Sequence, residues 1–216
     1  MSRIGLAAGI GCCAAFLVSS PPGARAQMAA PSATPAASMA PAVNPSPAMG
    51  KVQTEAPQDE PAFLQALHKT NLQEVQLAKD AEKRASRNDV KKFARMLVKD
   101  HQGADREIEK YAKDAKLSLG SADDRKTWKA EADSQIAALK PLQGAEFDHA
   151  WLTQMVQGHE EALKTIDAGK SLVKGTEFRA TLDGIRGKVN GHLDGAKDLL
   201  KQGENIQRTR GTEPGK

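Results

Sequence analysis

The sequence predicts an all-α fold, an up-down bundle of four long helices with an extra short helix between the second and the third. Three observations predict it. A single proline interrupts residues 62–213, which are rich in Ala, Leu, Lys, Glu and Gln, and proline breaks helix interiors. Apolar residues in this stretch recur every three or four positions, as on one face of a helix. No segment of useful length alternates in the way a strand would.

Capping and breaking residues set the expected helix boundaries. The first helix begins near Pro61 with Asp59 as its N-cap and runs to about Arg84. Ser86 to Asp89 resemble a capping box and start the second helix, which runs to about Leu117. The remaining helices are expected over about 123–139 (short), 145–172 and 176–201.

The N-terminal segment has the pattern of a secretory signal peptide. Arg3 precedes an apolar run from Ile4 to Val18, and Ala24-Arg25-Ala26 supplies the small residues of a cleavage site. The run is shorter than the ~20 residues that span a bilayer. We therefore predict a signal peptide over 1–26, export to the periplasm and no transmembrane helix in the mature chain. Retention of the segment as an anchor is the alternative.

Removal of this segment changes the composition of the mature chain. Both cysteines leave, and Lys+Arg falls from 31 to 29 against 27 Asp+Glu, a net charge of +2. Thiol chemistry and a dominant basic surface for nucleic acid are thereby excluded. Residues 27–60, rich in Ala, Pro and Ser, predict a disordered tether. The bundle is expected over 61–203, followed by a polar tail over 204–216.

Each long helix carries one ionisable residue near the middle of its apolar stripe. Because these residues lie at similar depths in their helices, they are expected at one level of the bundle, to within about a turn (~5 Å). One carboxylate and three imidazoles form a ligand set suited to divalent Zn, Cu, Ni or Fe. The four predicted metal ligands are Glu74, His101, His159 and His192.

Other polar residues are candidates for supporting roles. Asp100, Asp105 and Asp148 lie where they could orient the imidazoles from outside the ligand set. Asp148 also fits a role as a charge or cap at a helix start, and His68 is expected at the boundary of the core. A metal-free Glu–His hydrogen-bond network that fixes the helix register is the alternative interpretation of the central residues.

Several stretches together resemble a family of secreted bacterial proteins, the domain of unknown function 4142, often labelled outer-membrane proteins. The resemblance covers about residues 61–200 and implies a ferritin-like four-helix bundle and a metal site, but no established reaction. It also carries departures: Gly158 stands where Asp is common, and Arg186-Gly187 where Leu-Pro is common. The family's recurring polar positions fall on Glu74, Asp100, His101, Asp148, His159 and His192. The matching stretches are Phe63-Leu64, Asn71-Leu72-Gln73-Glu74, Val90-Lys91-Lys92-Phe93-Ala94, Lys99-Asp100-His101, Phe147-Asp148-His149-Ala150-Trp151-Leu152, Met155-Val156, His159, His192-Leu193 and Ala196.

The residues therefore predict an exported, non-enzymatic protein that binds a divalent transition metal and serves metal handling or envelope stress. Its expected partners are a metal ion or an envelope component. The alternative function is a structural or interaction module of the cell envelope. A metal-dependent oxidoreductase has the least support, because this ligand set leaves no second metal and no obvious substrate opening.

Overall fold

The structure is a computed structural model that describes residues 56–211. The predicted signal peptide and most of the predicted tether lie outside the described residues. The described chain contains helices and no strand, which confirms the all-α prediction. Within it, no helix is both long enough and apolar enough to cross a membrane. The helices are α1 (Glu60–Arg84), α2 (Asn88–Asp114), α3 (Ala122–Leu139), α4 (Gly144–Gly169) and α5 (Thr176–Gly211), with a 3₁₀ turn at Lys170–Leu172.

The capping predictions have mixed outcomes. Asp59 is the N-cap of α1, and its carboxylate accepts a hydrogen bond from the Ala62 backbone N–H at 2.9 Å. The capping box expected at Ser86 is absent: Arg87 is the N-cap of α2 and makes no side-chain cap. The Ser86 hydroxyl instead donates to the Asp148 carboxylate at 2.6 Å. Ser86 therefore bonds to a residue of another helix instead of capping the start of α2.

The last helix is longer than expected. We expected it to end near Lys201, but α5 continues to Gly211 and includes the first eight residues of the predicted tail. The physical reason is that no proline lies between Lys201 and Pro214, and the Lys, Gln, Glu and Arg residues of this stretch have good helix propensity. These polar residues lie outside the core, but they still form part of the helix.

Four helices form the bundle, and α3 lies outside it. α1 packs against α2 and α4, α5 packs against the same two helices, and α3 packs mainly against α1. Asp148, near the start of α4, contacts Ser86 at the start of α2, so α2 and α4 run in the same direction. Glu60, at the start of α1, contacts Lys174 just before α5, so α1 and α5 run in the other. Successive helices alternate in direction along the chain, and α3 runs in the same direction as α1.

Two apolar clusters fill the two halves of the bundle. One contains Phe93, Leu97 and Trp151 and lies toward the starts of α2 and α4. The other contains Phe63, Ile108 and Leu182 and lies toward the opposite end. Several buried polar residues fall between these clusters, with Glu74 on α1, His101 on α2, His159 on α4 and His192 on α5. The core is therefore divided by a polar layer at mid-height.

Candidate metal centre

Three imidazoles meet in the polar layer. His101 of α2, His159 of α4 and His192 of α5 are buried, with 4 %, 1 % and 4 % of their surface exposed. Their ring centroids are 5.3–5.5 Å apart, nearly an equilateral triangle. One nitrogen from each ring lies within 4.8 Å of the other two. The structure thus brings together three of the four predicted ligands at the separations of a shared metal site.

Each imidazole is held by a hydrogen bond from its other nitrogen. His101 Nδ1 donates to the Asn71 side-chain oxygen at 2.9 Å, and His159 Nδ1 donates to the Met155 carbonyl at 2.8 Å. His192 Nε2 donates to an Asp100 oxygen at 3.1 Å. Such acceptors fix the tautomer and orientation of metal-binding imidazoles in known proteins. Sequence analysis identified Asp100 and missed Asn71, although Asn71 lies three residues before Glu74 on the same face of α1.

The remaining ring nitrogens have no partner. His101 Nε2, His159 Nε2 and His192 Nδ1 are buried and form no hydrogen bond with any described residue. Because the opposite nitrogen of each ring donates to an acceptor, these three carry lone pairs rather than protons. Three lone pairs that converge without a donor repel one another. A cation is the natural group to satisfy them.

Electrostatics keep His101 and His192 neutral. Burial and, to a smaller extent, the neighbouring His159 and His192 rings lower the pKa of His101 to about 3, while Asp100 opposes the change. Burial also lowers the pKa of His192. Burial would raise the pKa of Asp100, but the hydrogen bond from His192 and the charge of Lys188 outweigh it and lower that pKa. At neutral pH His101 and His192 are therefore neutral imidazoles, the form that binds metal.

Glu74 lies beside this group but outside the tight triangle. Its side chain is buried, and Oε2 forms no hydrogen bond with a described residue. Burial raises the pKa of Glu74, and the nearby His159 opposes that rise. The other oxygen lies against α4, where a Cβ built on Gly158 would be 2.9 Å from Oε1. Gly158 therefore leaves the space that the Glu74 carboxylate occupies.

Two predicted supporting residues lie away from the imidazoles. Asp105 pairs with His68 at 2.8 Å, one turn further along α2, so His68 is buried rather than at the boundary. Asp148 accepts hydrogen bonds from the Ser86 and Arg87 backbone N–H groups at the start of α2. Neither carboxylate bonds to a central ring. Proximity along the chain was misleading, because Asp105 bonds to His68 of α1 and Asp148 bonds to the residues that precede α2.

A small cavity connects the imidazoles with the surface between α2 and α5. It has a volume of about 10 Å³ and is lined in part by His101, His192, Asp100 and Lys188. Lys188 Nζ lies 3.5 Å from Asp100 at this point. A volume near 10 Å³ corresponds to about one water-sized sphere. The space suits an ion or a single water molecule and is too small for an organic substrate.

Comparison with known proteins supports the family and the fold. No curated protein matches the chain. A crystal structure of a secreted protein of domain of unknown function 305 from Streptomyces coelicolor is similar, with 14 % identity and a TM-score of 0.50, over 73 % of this chain and 98 % of that one. At this identity the likeness concerns the fold alone. The model of the domain of unknown function 4142 matches residues 45–199, and the chain belongs to this family.

Proposed function

We propose that the protein binds one divalent transition-metal ion in the centre of the bundle. The ligands are His101 Nε2, His159 Nε2 and His192 Nδ1, and the Glu74 carboxylate closes the fourth position. One observation carries the proposal: these three nitrogens and Glu74 Oε2 are all buried and all without a hydrogen-bond partner among the described residues. A buried polar atom without a partner costs about 1–3 kcal/mol. Four such atoms in one layer are best explained by a ligand that satisfies them together.

Charge balance favours a divalent ion. The three rings are neutral donors, and the Glu74 carboxylate contributes one negative charge when a cation is bound. Asp100 contributes a second negative charge through its hydrogen bond to His192. Lys188 pairs with Asp100 and offsets part of this second charge, so the negative charge at the site suits a divalent ion better than a trivalent one. Imidazole and carboxylate donors suit Zn, Cu, Ni and Fe.

Binding rather than turnover is the role that this site supports. The cavity beside His101 and His192 holds about one ion or water molecule, and the neighbouring cavity of about 380 Å³ is lined by none of the three imidazoles. The sequence pattern of residues 1–26 supports export, and the similar Streptomyces protein is described as secreted. We therefore place the protein in metal handling or envelope stress outside the cytoplasm. The competing hypothesis is that the polar layer is purely structural and the protein is an interaction module of the cell envelope. The test below distinguishes the two.

The test measures metal content and metal-dependent stability. We expect the metal-free chain to bind one Zn²⁺, Cu²⁺ or Ni²⁺ ion tightly in its centre and to melt at a higher temperature with it, because only the folded state presents the site. His159→Gln should abolish this tight binding and its stabilisation. His149→Gln is a matched control, because His149 lies on the same helix but is exposed.

Two results would contradict the proposal. The first is the absence of any metal-dependent rise in melting temperature in the wild-type chain. The second is an equal rise in wild-type and His159→Gln proteins. Either result would leave the structural interpretation of the polar layer.

A further inference from the structure

A second group of metal-ligating side chains lies on the seam between α1 and α2. His68 of α1 and Asp105 of α2 are buried, and His68 Nδ1 lies 2.8 Å from Asp105 Oδ1. Glu109 follows one turn later on α2 and is exposed. One ligand atom from each of the three lies within 4.8 Å of the other two. The group is therefore compact, buried on one side and open to solvent on the other.

The charge of this group is uncompensated. Asp105 and Glu109 are four residues apart on one helix face, where like charges repel. Neither carboxylate forms an ion pair with a lysine or arginine that the structure describes, and Glu109 forms no hydrogen bond or ion pair there. In the described part of the chain, the bond between Asp105 and His68 is the only ion pair that either carboxylate forms. Many other Asp residues of the helices pair with Lys or Arg, so the absence of such pairs at Asp105 and Glu109 is a local feature.

We propose that His68, Asp105 and Glu109 form a second divalent-cation site, separate from the central one. An imidazole nitrogen and two carboxylate oxygens are common ligands for Zn²⁺ and other first-row divalent metals. When the cation binds His68 Nδ1, the neutral ring carries its single proton on Nε2, and bonds from His68 and Asp105 to the ion replace the hydrogen bond between them. Three protein ligands and an exposed side leave positions for water, so this site exchanges its ion readily. Its existence does not depend on the central site.

The two sites lie close together along α2. His101, Asp105 and Glu109 are spaced by four residues each, so the two α2 ligands of the second site lie about 6 Å and about 12 Å along the helix axis from His101. Trp128 reports on the second site, since its ring centroid lies 6.0 Å from that of His68. A bound Ni²⁺ or Cu²⁺ ion beside His68 should quench its fluorescence. The Trp151→Phe variant makes Trp128 the only emitting tryptophan in the chain.

The experiment is a titration of the metal-free full chain with Ni²⁺ by calorimetry, together with Trp128 fluorescence in the Trp151→Phe background. We expect two ions in the wild-type chain. Glu109→Gln should lose the weaker one and the fluorescence quenching that accompanies it. Glu107→Gln is the matched control, because it removes the same charge from an exposed position on the same helix. It should still bind two ions.

The outcomes separate the two sites. His159→Gln should keep the weaker ion and the quenching of Trp128 while it loses the central ion. A wild-type chain that binds a single ion, lost in Glu109→Gln and kept in His159→Gln, would support the second site and refute the central one. Equal stoichiometry and equal affinities in wild-type and Glu109→Gln proteins would overturn the inference. Loss of all binding and all quenching in His159→Gln would overturn it as well.

Discussion

Buried polar groups at the ends of the bundle differ from those at its centre. At one end, Asp148 accepts hydrogen bonds from the Ser86 backbone N–H and hydroxyl and from the Arg87 N–H. At the other end, Glu60 Oε1 accepts from the Tyr111 hydroxyl at 2.6 Å and from the Lys174 backbone N–H at 2.9 Å. Each carboxylate joins two loops or helix ends. The protein itself supplies every one of these donors.

The centre lacks such donors. Glu74 is as buried as Glu60, at 6 % exposure, yet its Oε2 has no partner among the described residues. The three central rings are each bonded through one nitrogen and left free at the other. A fold that pairs its end carboxylates so completely does not lack hydrogen-bonding capacity. The end groups thus stabilise the fold, whereas the unpaired central groups are the ones for which we propose a ligand from outside the chain.

Asp148→Ala should have the largest effect on stability. The change removes three hydrogen bonds to a carboxylate and leaves two backbone N–H groups unpaired, which we expect to cost about 3 kcal/mol in the free energy of unfolding. Urea denaturation measures it. The rise in melting temperature with Zn²⁺ should persist, because Asp148 contacts no central ring. Asp133→Ala, an exposed change, should cost less than about 0.5 kcal/mol. A loss below about 1 kcal/mol for Asp148→Ala would contradict the stabilising role of the end groups.

Asp100→Asn tests the groups that orient the rings. Asn keeps the shape of Asp100 but removes the charge that balances the ion and holds His192. We expect metal affinity to fall about 10–100-fold, which corresponds to about 1.4–2.8 kcal/mol. The melting temperature of the metal-free protein should change little. Asp194→Asn, an exposed change on α5, should leave the affinity unaltered. Unchanged affinity in Asp100→Asn would show that His192 needs no such support.

Glu74→Gln should act in the opposite direction from Asp148→Ala. Because burial raises the pKa of Glu74, its charged form destabilises the metal-free fold once the pH exceeds the folded-state pKa. At pH 7 we expect the variant to gain about 1 kcal/mol without metal and to bind Zn²⁺ more weakly. Below pH 4.5, the ordinary value, the carboxyl is protonated in both states and the gain should disappear. Urea denaturation at pH 4 and pH 7 gives both values. A loss of stability at pH 7 would contradict this prediction and would show that Glu74 stabilises the metal-free fold, as Asp148 and Glu60 do.

The sequence predicted the parts of the molecule that depend on local pattern. Proline placement and apolar spacing gave the helices, and the depth of His101, His159 and His192 along them gave the convergence of the rings. Among the acceptors, Asp100 was predicted, but Asn71 and the Met155 carbonyl could not be found in this way. The bond from His101 to Asn71 depends on how α1 and α2 are rotated about their axes, and the bond from His159 to the Met155 carbonyl depends on the side-chain conformation of His159. Residue spacing determines neither. For the same reason Asp105 and Asp148 were expected near the rings but bond elsewhere.

Gly158→Ala is expected to have the smallest effect, and it tests whether the space at Glu74 matters. A Cβ at this position would lie 2.9 Å from Glu74 Oε1, and a flexible carboxylate can move away from it. The displacement should offset the gain of up to about 1 kcal/mol that alanine brings to a helix interior. Melting temperature without metal should therefore hardly change, while Zn²⁺ affinity falls by a few-fold. Gly187→Ala is the matched control, because no atom lies within 4 Å of the added carbon. That variant should gain stability and keep its affinity. If both variants behave alike, the position of the Glu74 carboxylate beside α4 does not contribute to binding, and the ligand set is reduced to the three imidazoles.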